Sequence, residues 1–241
     1  MSVLTRFELF YRYAKQNRWY WLFSVFCRVV LAFAFVTAGL TKVVGERFAS
    51  GMSELHPMGA YLTALHRTGY YYTFIGYAQM LAAFLLLIPR TVLLGALLYF
   101  PIIVNIWLLS YAVRFEGSIV TSPLMVLANL YLLLWHYDRI RSLLPFREFS
   151  DLGLVGKPAT YDTRFPWRFF AGVFLTVVAV VVFARFGHEV MPRNSLRDCK
   201  LQFEGSGGEA AGEAFCTCVH RRGETLEQCL REYAVARDAT D

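Results

Sequence analysis

Cys199, Cys216, Cys218 and Cys229 carry the clearest chemical signal in this 241-residue sequence. In an oxidising compartment such cysteines pair, and four of them allow three pairings. A Cys216–Cys218 bond would close a very small ring, and residues two apart on a helix point to opposite sides. Two frameworks remain: Cys199–Cys216 with Cys218–Cys229, or Cys199–Cys218 with Cys216–Cys229. One role for them is to staple a hairpin too small to hold its own core. The other is redox, since closely spaced thiols such as Cys216-Thr217-Cys218 exchange through mixed disulfides. The spacing matches no familiar structural zinc pattern even with His220 nearby, so no metal site is expected.

A second set of polar residues lies in or beside long apolar runs: Lys42, Glu46, His56, Gln79, Asn105 and Asn129. Ionisable groups at membrane depth are costly and mark function by default. Glu46 follows Lys42 by four residues, the spacing of a helical ion pair. Gln79, Asn105 and Asn129 lie mid-run. They either bond between helices, at roughly 0.6–2 kcal/mol each, or line a polar pocket for a quinone-like ligand or lipid headgroup, offering donors to a carbonyl. His56 and His66 suit proton relay beside such a pocket, because imidazole titrates near neutrality. The plainer alternative leaves both histidines solvated beside an interfacial belt of Tyr70, Tyr71 and Tyr72. Arg28 and Arg185 fall within reach of opposite interfaces, as snorkelling residues do, and His136 reads as an interface residue.

The elements that hold these residues follow from composition. The chain is 56% hydrophobic and 17% aromatic but only 17% charged, against about a quarter charged in ordinary soluble domains. With a mean hydropathy of +0.41, this excludes disorder, a coiled coil and a small secreted disulfide scaffold, and points to an all-α integral membrane protein in a lipid bilayer. Five runs are long enough to span: Trp21–Val44, Tyr71–Ile88, Val92–Val113, Ser118–His136 and Phe169–Gly187. Ahead of them, Phe7–Phe26 mixes aromatics with Arg12, Lys15 and Arg18, the pattern of an interfacial helix anchored by Trp19 and Trp21. The polar lead-in is too long for a cleaved signal peptide. The basic residues form no stripe with interleaved aromatics, so nucleic acid is not an expected partner.

Loop lengths divide the chain further. Pro89-Arg90-Thr91 and Arg114–Gly117 are tight links, which makes the second, third and fourth runs antiparallel neighbours in an up-and-down bundle. The expected organisation is an interfacial segment at 1–28, a four-helix core at 29–140, a loop at 141–168, a fifth membrane helix at 169–187 and a four-cysteine tail at 188–241. Gly153, Gly156 and Pro158 mark the loop as irregular. In the tail, Glu209–His220 and Glu224–Arg237 read as short helices around Arg221-Arg222-Gly223, with a weak capping pattern from Thr225 to Gln228.

The net charge of +6 divides by side. With the N-terminus inside, twelve of the 24 basic residues face the cytoplasm with five acids, giving +7 against −1 outside. Positive charge concentrates on cytoplasmic loops, so N-in and C-out is the expected orientation. That orientation also puts the four tail cysteines on the oxidising side, with Cys27 at the cytoplasmic end of the first run.

Three stretches resemble the DoxX-like membrane proteins: Ala38-Gly39-Leu40-Thr41-Lys42, Ile88-Pro89-Arg90-Thr91, and Asn129-Leu130-Tyr131-Leu132-Leu133 before Trp135. The resemblance covers roughly residues 25–140; the fifth helix and the cysteine tail depart from it. It implies a four-helix bundle in a bacterial inner membrane. Some members of that family are subunits of thiosulfate:quinone oxidoreductase, others are linked to thiol and oxidative-stress systems, and Lys42 matches a recurring motif residue without an assigned role. The expectation is an accessory or quinone-linked redox subunit with a periplasmic tail, partnered by another membrane or periplasmic subunit, with no covalently bound cofactor. The alternative is a non-catalytic assembly subunit whose stapled tail docks an extracytoplasmic partner. Catalysis itself stays open.

Overall fold

The computed structural model of the chain describes residues 3–52, 54, 57–113, 115, 117–143, 155, 156, 158–186 and 195–238. Among them the regular structure is helical, with one isolated backbone bridge between Asn17 and Asp162. The helices are α1 (Val3–Gln16), α2 (Arg18–Val43), α3 (Pro57–Arg67), α4 (Tyr70–Leu87), α5 (Val92–Ala112), α6 (Thr121–Trp135), α7 (Tyr137–Leu143) and α8 (Trp167–Phe186). The tail adds α9 (Leu196–Leu201), α10 (Glu209–Thr217) and α11 (Leu226–Asp238).

Four helices, α2, α4, α5 and α8, are long and apolar enough to cross a membrane. The expected run Ser118–His136 gives a shorter apolar helix: α6 has 15 residues and rises about 22 Å at about 1.5 Å per residue. Its start is delayed because Ser118 and Ile119 donate to the Phe115 carbonyl in a turn, at 3.1 Å each. α2 packs on α4, α4 on α5, α5 on α6, and α6 returns to α2. Leu31, Phe35, Leu86, Tyr99, Ile103 and Leu132 meet in the middle, all essentially without exposure, and the Phe35 and Tyr99 rings stack.

The short α4–α5 link is tied from two directions. Thr91 donates its hydroxyl to the Leu85 carbonyl at 2.9 Å. Arg28 of α2 donates to the Leu86 and Leu87 carbonyls at 2.8 and 2.7 Å. These are acceptors that the end of a helix leaves open. Arg28 is therefore a cap for a neighbouring helix, beyond the snorkelling role expected of it.

The N-terminal segment divides at Asn17, which is fully buried. Its side chain accepts from the Trp19 amide and donates to the Arg164 carbonyl, while the Arg18 amide donates to the Asp162 carbonyl and the Asp162 amide to the Gln16 carbonyl. α1 then docks on α6 and α7 through Tyr11, whose hydroxyl bonds Asp138 Oδ1 at 2.8 Å, and through a 2.8 Å Glu8–Arg141 ion pair. Burial, followed by the bond to Asp138, holds the Tyr11 phenol above its ordinary pKa, so it remains a neutral donor.

α8 joins the bundle at its beginning, where Phe169 meets Tyr20, Phe23 and Tyr131. Most of the rest of its apolar surface is uncovered, with Phe174, Leu175, Phe183 and Phe186 all more than 60% exposed. In the tail the disulfides are Cys199–Cys216 and Cys218–Cys229, one of the two expected frameworks. All four cysteines are buried, beside a cluster of Phe203, Phe215 and Tyr233. α9 opens with a full capping box between Ser195 and Asp198. Only half of the expected Thr225–Gln228 box forms: the Gln228 amide donates to Thr225 Oγ1, while its side chain turns to Glu232.

Candidate functional site

A cavity of about 690 Å³ lies between α2, α3, α4, α5 and α6, within the range of small-molecule pockets. Its existence follows from side-chain size. The α2 wall presents Ala34 and Ala38, one turn apart, and the α6 side presents Ser118, Thr121 and Ser122. Small residues on facing helices leave volume that the bulkier Phe35, Ile103 and Met125 border without filling.

Lys42 continues the Ala34–Ala38 stripe by one more turn, which puts it on the same wall. Its place is fixed by Gly39 and Gly76, at which α2 and α4 touch so closely that a Cβ on Gly76 would fall 2.8 Å from Lys42 Cβ. Lys42 is 7% exposed. Its ammonium donates to the Ala38 carbonyl at 3.0 Å and lies over the Phe48 ring at 4.7 Å and the Tyr72 ring at 5.9 Å.

Glu46 is no partner to Lys42, contrary to expectation. α2 ends at Val43, and Gly45 takes a left-handed conformation with φ +85 that turns the chain away. Glu46 is exposed and contributes its carbonyl, which accepts from the Tyr72 hydroxyl at 2.8 Å.

Gln79 lines the cavity from the middle of α4, 1% exposed, with no partner for Oε1. Asn105 lines it from α5, one turn after Pro101. Asn129 does not line it. It is fully buried between α5 and α6, donating Nδ2 to the Ala96 carbonyl at 3.0 Å, an interhelical bond of the kind that holds bundles together. His56 lies outside the described residues. Of the six expected pocket residues, Lys42, Gln79 and Asn105 come together around one space.

The rim beside the α2–α3 loop holds residues that the sequence did not single out for this role. Tyr72 is buried, accepting from the Phe48 amide while donating to Glu46, so it is a clamp and no member of an exposed belt. His66 is not simply solvated: its Nε2 lies 3.0 Å from the Gly45 carbonyl, and its ring meets Tyr72 edge-on. Arg47 gathers the loop by donating to Thr63 Oγ1 and to the Ser50 and Met52 carbonyls. α3 covers this end of the cavity with Met58, Leu62 and Leu65. Its signal was present as Pro57 at a helix start and apolar residues at 58, 61, 62 and 65.

Among the described residues no group of His, Cys, Asp and Glu could hold a metal ion. The cavity instead offers largely apolar walls, one ammonium, two amides and the hydroxyl-bearing residues of the α6 side. It can hold an apolar body and bond an oxygen on it.

No family model matches the chain, and no solved structure matches it. The uncharacterized protein YwoB of Bacillus subtilis (strain 168) is 40% identical to it over 126 residues, covering 50% of this chain and 80% of that protein. At that identity and coverage, the chain belongs to the family of YwoB.

Proposed function

We propose that the chain is a multi-pass, DoxX-like protein of a bacterial inner membrane whose cavity binds a quinone-like ligand, and that it serves as an accessory or redox-linked subunit of a membrane complex. The observation that carries this reading is the cavity itself, with Lys42, Gln79 and Asn105 on largely apolar walls. These residues fit a quinone: the walls suit a ring and its tail, while Lys42 and the two amides supply donors for a carbonyl oxygen. A bound quinone would supply two-electron redox chemistry; the protein's part is to hold and desolvate the head. The N-in, C-out orientation, with the shorter α6 as the fifth crossing beside α2 and α5, is supported by the distribution of Lys and Arg. The two disulfides in the tail fit an oxidising compartment.

The buried tail cysteines weigh against thiol exchange, because attack on a disulfide needs access to a sulfur. That favours an accessory role for the tail over a catalytic one. The test is equilibrium binding of menadione to the purified protein. Binding in the wild type, lost in Ala38→Trp and weakened in Gln79→Leu, is the expected result; equal binding by all three would defeat the reading.

A second reading, a non-catalytic assembly subunit, draws on α8, of whose residues Ala184 alone is buried, whereas α2, α4 and α5 each bury six or more. A helix this uncovered faces lipid or a partner helix. Stoichiometric co-purification with a larger membrane or periplasmic protein, lost when α8 is replaced by a polyleucine span, would favour it.

A further inference from the structure

The most unusual group on the cavity wall is a lysine without a carboxylate. Among the described residues Lys42 has no acid within ion-pairing distance, its sequence neighbour Glu46 being turned away by Gly45. Only one hydrogen bond engages its ammonium, to the Ala38 carbonyl, out of the three it can donate. Two aromatic faces offer the remaining charge a partial match. Near it on α4, Gln79 is 99% buried by its 1% exposure and leaves Oε1 unpartnered at the cavity. A charge buried from water is expensive unless something of opposite sign meets it. An unpaired cation and an unsatisfied amide on one apolar space describe a site that lacks its ligand's polar head.

We infer that the cavity selects ligands with an acidic oxygen, ionised at neutral pH and attached to an apolar body, with that oxyanion on Lys42. The inference rests on the cavity being a ligand site, as proposed above, and adds the charge of the ligand. Lys42 makes a charge-assisted bond to the oxyanion, while Gln79 donates through Nε2 to a neighbouring oxygen or accepts a ligand hydroxyl at Oε1. The apolar body lies along Ala34, Ala38 and Ile106. Two kinds of molecule share this chemistry: hydroxylated quinones, whose enolic hydroxyl is acidic, and single-chain lipid acids.

The experiment uses matched pairs of probes on the purified full-length protein in neutral detergent at pH 7. One pair is 2-hydroxy-1,4-naphthoquinone, an anion at that pH, against neutral menadione. The other is laurate against dodecanol. The expected result is about tenfold tighter binding of an anion than of its neutral partner, the scale of one charge-assisted bond. Lys42→Met abolishes the preference and Lys42→Arg keeps it, the second variant also guarding against a folding defect in the first. Preference within the naphthoquinone pair supports both this inference and the quinone-like reading. Preference for laurate with no naphthoquinone binding supports the oxyanion site and removes the quinone. Equal binding of menadione and its hydroxylated partner, or a preference that survives in Lys42→Met, overturns the inference while the quinone-like reading stands. Binding of none of the four overturns both.

Discussion

Gly39 and Gly76 face each other across the α2–α4 contact: a Cβ on Gly39 would lie 2.8 Å from the Gly76 carbonyl oxygen, and one on Gly76 would lie 2.9 Å from that of Gly39. Close backbone approach between membrane helices is driven by packing, which small residues permit. Gly39→Val must therefore push α2 away from α4, and overpacking of this kind costs about 1–3 kcal/mol. Thermal unfolding in detergent checks this, with Gly51→Ala, whose added Cβ meets nothing within 4 Å, as the control. A Gly39→Val protein as stable as the control would show that the helices do not meet there.

Arg28 holds the last carbonyls of α4 from another helix. Replacing it with Met keeps an apolar stem but leaves two acceptors without their donor, at about 1–3 kcal/mol for each group that stays buried. Faster hydrogen exchange at the α4 end and the Ile88–Thr91 turn is the expected signature. Unchanged exchange there would mean that water or another group takes over.

Lys15 of α1 lies over the Trp135 ring at 4.5 Å. Burial, only partly offset by Asp138, pushes its amine down from the usual 10.5 to about 8. Between about 8 and 10.5 the unfolded chain thus holds a proton that the folded chain has released. Stability of α1 docking rises as pH climbs through that window and is flat below it. Limited proteolysis of the α1–α2 junction, followed from pH 7 to above pH 9, should show growing protection in the wild type and a shallower trend in Lys15→Met. Identical trends would remove Lys15 as the cause.

The tail depends on its two disulfides because its apolar core is little more than Phe203, Phe215 and Tyr233. Peptide mapping without reduction should recover Cys199 linked to Cys216 and Cys218 linked to Cys229. Removing either bridge should destabilise the tail by about 2–5 kcal/mol. Recovery of Cys199 linked to Cys218 would refute the pairing.

Apolar run length and turn residues made α2, α4, α5 and α8 legible within a few residues of their ends. α6 starts later than its apolar run because hydropathy continues through Ser118-Ile119-Val120, whereas the Phe115 carbonyl gathers the Ser118 and Ile119 amides into a turn. Cysteine chemistry narrowed the tail to two frameworks, but choosing between them needed the positions of α9 and α10 in space. In the site, periodicity told that Gln79, Asn105 and Asn129 were inside their helices and could not tell which neighbour each faced. Asn129 turned out to face α5 and Gln79 the cavity. The Lys42–Glu46 spacing assumed a helix that continues, and the left-handed Gly45 ends it. Tyr72 and His66 were hidden because their partners are backbone groups of a loop, which side-chain patterns do not report.

The most direct test of the account is photo-crosslinking with an azido-quinone, followed by mapping of the labelled peptides in the purified protein. The account predicts saturable labelling of the α2, α4 and α5 stretches around Ala38, Gln79 and Ile106, suppressed by excess menadione and absent from Ala38→Trp. Labelling spread over the exposed face of α8, or labelling that Ala38→Trp leaves intact, would contradict it.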